Sequence, residues 1–121
     1  MPREAKHSRS ASPLRSPTEA LIQARTLMKQ GLFHPGRTEL PNELSDLGYP
    51  GDEMMREALC AAFEEAYPNC HQADPNPKEP PAYIFVWHSA FFGRRIYLKF
   101  KLKGTRRKPV LWVYSCHQAY F

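Results

Sequence analysis

An α+β domain, with two N-terminal helices packed on one face of a small twisted antiparallel sheet, is the fold class this sequence predicts. The change of hydrophobic period along the chain carries that prediction. In two segments before Pro68, apolar residues recur at helical spacing. Beyond a proline-rich stretch they alternate with polar ones, the pattern of strands with one buried face. A length of 121 residues suits one domain with a single modest core.

Residues 1–15, MPREAKHSRSASPLR, are polar, basic and rich in Ser and Pro. They cannot bury enough apolar surface to offset the entropy of ordering, so a flexible tail is expected before a domain of residues 16–121. Ser16 suits an N-cap, Pro17 the first helical position, and Glu19 completes an S-x-x-E capping box. Leu21, Ala24, Leu27 and Met28 follow helical spacing, Lys29 suits the negative end of the dipole, and Gly31 can close the helix. Residues 32–51 are broken by Pro35, Gly36, Pro41, Gly48, Pro50 and Gly51, leaving room for one short helical turn within Asn42–Gly48.

The second helix is expected from Asp52, as N-cap, to near Tyr67, because Pro68 disfavours helical geometry in the residue before it. Met55, Leu59, Ala62 and Phe63 form its buried stripe, and Glu53, Glu57 and Glu64 its solvated side. Pro68, Pro75, Pro77, Pro80 and Pro81 predict a loop without regular structure. Three strands follow, Tyr83–His88, Arg95–Lys103 and Val110–His117, joined by turns at Phe91–Arg94 and Gly104–Lys108 into an antiparallel meander.

Charge is segregated along the chain. The net charge is +5, but residues 37–79 hold ten acids and three basic residues, and residues 80–121 hold eight basic residues and no acid. A basic third beside an acidic middle points to a polyanion-binding face. Three cysteines, with no C-x-x-C, argue against a disulfide framework and suit a reducing, cytoplasmic setting. Cys60, Cys70 and Cys116 with their neighbouring histidines lack paired zinc-ligand spacing, so no metal or other cofactor is expected. No run approaches the roughly 20 apolar residues of a membrane span, and the first residues lack the apolar core of a secretory signal.

The basic residues concentrate in GRRIYLKFKLKGTRRKP, Gly93–Pro109. Alternation puts Ile96, Leu98, Phe100 and Leu102 on one side of its strand and Tyr97, Lys99, Lys101 and Lys103 on the other. A row of lysines beside a tyrosine suits a ribose-phosphate chain: the ammonium groups neutralise phosphates and the ring stacks on a base. Arg106, Arg107 and Lys108 extend the charge at the strand's far end. Antiparallel order brings the ends of the first and third strands, His88 and His117, to the start of the central strand, with Arg94, Arg95 and Tyr97. Histidine exchanges protons near neutral pH, and arginine stabilises charge on a phosphorane. That set suffices for RNA cleavage by the neighbouring 2′-hydroxyl without a metal. P-loop, G-x-G-x-x-G and G-x-S-x-G motifs are missing, and the strands carry no carboxylate pair for a two-metal nuclease or a glycosidase.

Four short pieces, in order and spacing, resemble the motility quorum-sensing regulator (MqsR) toxins of the RelE-like group of bacterial messenger-RNA endoribonucleases. They are ARTLMKQGLF (Ala24–Phe33), NELSDLGYPGDEMMREAL (Asn42–Leu59), IYLKFKL (Ile96–Leu102) and VLWV (Val110–Val113). The resemblance implies a small toxin that cuts mRNA without metal and is held inactive by a cognate antitoxin. It places the family's strand tyrosine on Tyr97 and the following lysine on Lys99. The family's polar residue after the first-strand tryptophan falls on His88, where the family has Gln. Its basic residue after the last strand's serine falls near His117. Its lysine near the end of the second helix has no clear counterpart, Tyr67 being the nearest polar residue.

The leading expectation is therefore a ribonuclease toxin. His88, His117, Tyr97 and Arg95 would be catalytic, and Arg94, Lys99, Lys101, Lys103, Arg106 and Arg107 would hold RNA. Two other readings use the same face: a nucleic-acid-binding module without catalysis, and a protein-interaction domain for an acidic partner. Intact RNA after long incubation would mark the first of these, and competition between RNA and the protein partner the second.

Overall fold

The computed structural model describes residues 15–76, 78 and 80–120. The expected tail lies outside these residues except for its last position, Arg15. That residue is buried, and its backbone exchanges two hydrogen bonds with the Tyr83 hydroxyl. In chain order the elements are α1 (Pro17–Lys29), β1 (Phe33–Pro35), α2 (Leu40–Asp46) and α3 (Asp52–Glu65). A 3-10 turn (Pro68–Cys70), β2 (His71–Gln72), β3 (Tyr83–Ser89), β4 (Arg94–Gly104) and β5 (Pro109–Gln118) follow. The sheet order is β1-β5-β4-β3-β2.

The α+β class and the β3-β4-β5 meander match the sequence reading. The architecture differs in two respects: the described residues hold three helices, and the sheet has five strands and is mixed. β1 runs parallel to β5, pairing Phe33 with Leu111 and Pro35 with Val113. β2 pairs antiparallel with β3, in the stretch expected to be irregular. Both strands are too short to show a period of two; β1 ends in Pro35 itself, and β2 lies between Pro68 and Pro75. Such short edge strands also leave little template for edge-to-edge aggregation. α2 is a full helix because Pro41 occupies its first turn, where no intrahelical N–H is needed, and because Leu40 and Leu44 bury one face.

Local signals at the helix ends act as the sequence suggests, with two shifts. The Glu19 N–H donates to Ser16 Oγ at 3.1 Å, and the Glu19 carboxylate pairs with Arg106 at 2.9 Å. Gly31, at φ +75°, lets the Leu32 N–H reach the Leu27 carbonyl at 2.9 Å. At α3 the cap is Gly51, and Asp52 lies in the first turn, where its charge suits the dipole. α3 stops at Glu65, and Arg25 of α1 closes it: the guanidinium donates to the carbonyls of Phe63, at 2.6 Å, and Ala66.

The helices cover one face of the sheet. Ile96, Leu98, Phe100 and Leu102 of β4 point into this core with Leu111, Val113 and Cys116 of β5. Phe100 is its centre, stacked on Phe85 and Tyr83 and met edge-on by Phe63 at 5.0 Å. Glu65, at the end of α3, accepts from Trp87 Nε1 at 3.0 Å, from the Ser89 hydroxyl, and from the Phe91 N–H at 2.8 Å. This one carboxylate ties the last helix to the β3–β4 turn.

Burial would raise the Glu65 pKa, but the hydrogen bonds from Ser89, Trp87 and the turn backbone outweigh it and hold it below the ordinary 4.5. A depressed carboxylate contributes stability above its unfolded pKa, and that contribution is lost as pH falls through the folded value. Glu65→Gln should therefore flatten the acid limb of stability below about pH 4.5 in urea titrations. Glu65→Ala should cost about 2–3 kcal/mol at pH 7, the scale of hydrogen bonds to a charged group. An unchanged acid limb in Glu65→Gln would remove the carboxylate from this role.

Candidate functional site

The face of the sheet turned away from the helices is built on β4. Tyr97, Lys99, Lys101 and Lys103 alternate with its core residues and are each half-buried. Toward β3 this face is apolar: Ile84 and Val86 lie opposite Lys99 and Tyr97 and form a small second cluster with Ala119 and Tyr97. Toward β5 it is aromatic and basic. Lys103 Nζ lies 4.6 Å from the Trp112 ring centre, and Lys101 Nζ lies 5.3 Å from that of Tyr114. Such cation–π contacts favour the ammonium groups over the rings by about 0.5–1 kcal/mol each, weak enough to yield to a ligand. His34 of β1 meets the Trp112 ring at 4.8 Å. Gly36 passes so close to Tyr114 that a Cβ there would sit 2.8 Å from the ring.

A β-bulge decides where His117 points. Leu111 and Val113 face the core, so strict alternation would send Ser115 and His117 there too. Instead Phe100 pairs with Val113 and Lys99 with Ser115, leaving Tyr114 as the extra residue. The bulge turns Cys116 inward and sets His117 beside Tyr97, ring on ring at 4.9 Å and 10°. His117 Nδ1 lies 2.8 Å from the Gln118 carbonyl oxygen. A carbonyl only accepts, so Nδ1 carries the proton, and Nε2 of the neutral ring is the proton acceptor.

Two residues of the β1–α2 region clamp the bulge. β1 covers β5 only as far as Val113, and side chains take over the ladder beyond it. Glu43 Oε1 accepts from the Cys116 N–H at 3.0 Å. Arg37 Nη1 donates to Ser115 Oγ at 2.7 Å and pairs with the other Glu43 oxygen at 3.2 Å. Beside this clamp, Glu43, Asp46, Arg94, His117 and Gln118 line a polar cavity of about 370 Å³ at the end of the sheet.

Four of the residues singled out from sequence share one end of the face. His88 lies opposite Arg95, and Tyr97 opposite His117. Two strand spacings and one two-residue step separate His88 from His117, roughly 12 Å between their backbones. Burial, reinforced by Asp74 and Glu43 and opposed by Arg37, raises the Tyr97 pKa above its ordinary value. The phenol thus keeps its proton at neutral pH and has an O–H to donate.

Lys99, Lys101 and Lys103 continue the face. Arg94 does not join it: its register partner is the buried Ser89, and its guanidinium reaches Gln118 at 3.5 Å on the cavity side. Arg106 is paired with Glu19 of α1, and Arg107 is exposed in the β4–β5 turn. Trp112, Tyr114 and His34 were not identified from sequence. The alternation of VLWVY with Leu111 and Val113 inward would have found the first two. Arg37 and Glu43 left no such signal, because their role depends on a bulge.

Comparison with family models, with curated proteins and with solved structures gives no match for this chain. Among the described residues no helix is long and apolar enough to cross a membrane. No group of three or more His, Cys, Asp or Glu side chains there is placed to hold a metal ion. The three cysteines are free thiols, each raised in pKa by burial, Cys116 most of all.

Proposed function

We propose that the chain is a metal-independent endoribonuclease, the toxin component of a type II toxin–antitoxin system that cuts mRNA in the cytoplasm. The observation that carries the chemistry is the stacked Tyr97–His117 pair, with its Nδ1 proton held by the Gln118 carbonyl, at the head of a lysine row. The likeness to the MqsR and RelE-like toxins supports the biological role and the cognate antitoxin as partner.

In the proposed reaction His117 Nε2 takes the proton of a ribose 2′-hydroxyl, and that oxygen attacks the adjacent phosphorus. The bond from phosphorus to the 5′-oxygen breaks, and His88, entering protonated, gives its proton to the leaving oxygen. The products are a 2′,3′-cyclic phosphate and a 5′-hydroxyl. Arg95, opposite His88, neutralises the phosphorane, and Tyr97 donates a hydrogen bond from its protonated phenol. Lys99, Lys101 and Lys103 hold the flanking phosphates.

Purified protein incubated with single-stranded RNA in EDTA should yield fragments ending in 2′,3′-cyclic phosphate. RNA that stays intact, yet binds with an affinity falling steeply as salt rises, would sink the cutting and leave a nucleic-acid-binding module. No binding of RNA at any salt would leave an interaction surface for an acidic protein.

A further inference from the structure

We infer that Trp112, flanked by His34 and Lys103, is a base-stacking subsite for an unpaired nucleotide some distance along the same RNA strand from the Tyr97–His117 pair. The inference rests on the RNA-cutting reading and adds to it a substrate class: single-stranded RNA long enough to reach both places.

Position argues first. Trp112 lies opposite Lys101, four residues along β4 from Tyr97, or about 13 Å at the rise of a strand. At the roughly 3.4 Å spacing of a stacked strand, that distance is about four nucleotides, and fewer if the strand is extended. Lys99 lies between, on the same face.

Chemistry argues second. Trp112 belongs to the face opposite the core, half-buried, and its ring is met by two cationic or protonatable groups, Lys103 at 4.6 Å and His34 at 4.8 Å. Tyr114 is confined by Gly36 and serves as a wall. The Lys103 stem is flexible, so a base can take its place on the indole while the ammonium moves to the adjoining phosphate. Base–aromatic stacking tolerates any sequence but requires the base to be out of a duplex. A charged row by itself does not discriminate single strands from duplex; a ring within the row does.

The chain has two tryptophans, and Trp87 is buried and bonded to Glu65 on the helix side, so a fluorescence response to RNA reports on Trp112. The probes are 2′-O-methyl oligonucleotides of two and seven nucleotides, which lack the attacking hydroxyl. The heptamer should quench the emission, and the dinucleotide should not. In anisotropy titrations Trp112→Ala should weaken heptamer binding five- to hundredfold, the range of one base–aromatic stack, and leave dinucleotide binding unchanged. Trp112→Phe should keep most of the heptamer affinity, and a matched duplex should bind the wild type more weakly than the single strand.

Equal heptamer affinity in wild type and Trp112→Ala, with RNA still cut, would overturn the subsite and spare the cutting reading. If neither oligonucleotide binds and RNA is not cut, both fall together.

Discussion

His117→Ala is expected to lower single-turnover RNA cleavage by about 10²–10⁴-fold, the usual worth of a positioned general base, with RNA affinity changed only a few-fold. The large effect follows from geometry. The Gln118 carbonyl fixes which nitrogen carries the proton, and the Tyr97 ring, 4.9 Å away and nearly parallel, fixes the plane. The small effect on the fold follows from position: His117 lies near the end of β5, on the face away from the core, so alanine removes no core contact. Tyr97→Phe keeps the stack and loses the phenol, so its loss of rate should be smaller. Because burial raises the Tyr97 pKa, the phenol stays protonated across neutral pH, and Tyr97→Phe should leave the neutral arms of the pH–rate profile in place. Rates in both variants equal to the wild type, with thermal melts unchanged, would remove these residues from the chemistry.

The sequence made the end of the sheet legible but not its face. Antiparallel order alone brings His88, Arg95, Tyr97 and His117 together, and the order is plain from the alternation and the two turns. Which way His117 points depends on a bulge, and IYLKFKL and VLWVYSCHQ each read as regular strands. The bulge shows only in the pairing between them, where Tyr114 is extra. The same limit hid Arg37 and Glu43, whose role is to bond backbone and side-chain groups that a regular ladder would have bonded otherwise.

Residue type alone does not say which way a side chain faces. Arg94 and Arg95 are equally basic, but adjacent residues in a strand face opposite ways, and only Arg95 shares the lysine face. Prolines misled at two places for one reason. Pro35 ends a three-residue edge strand and Pro41 lies in the first turn of a helix, and both positions tolerate a missing N–H.

Glu43→Ala should lower cleavage about 10- to 100-fold while RNA affinity holds, because a displacement near 1 Å in a reacting group is enough to cost that much. The substitution takes the acceptor from the Cys116 N–H and the partner from Arg37, and both bonds lie at the bulge that aims His117. An unsatisfied backbone N–H there costs about 1–3 kcal/mol, so a modest drop in melting temperature should accompany the loss of rate.

The informative variant is Glu43→Gln. Its amide oxygen still accepts from Cys116, and Arg37 still donates to Ser115, so the bulge should hold and most of the rate should return. Glu43 also lines the cavity that His117 enters, which would suit a carboxylate acting on the substrate directly. The two roles separate cleanly. A clamp needs only an acceptor, and glutamine supplies one; a proton-transferring carboxylate has no substitute in an amide. Recovery in Glu43→Gln, with kcat restored and KM unmoved, marks a positioning residue. Glutamine as inactive as alanine, in a protein that melts like the wild type, would move Glu43 from the scaffold into the reaction.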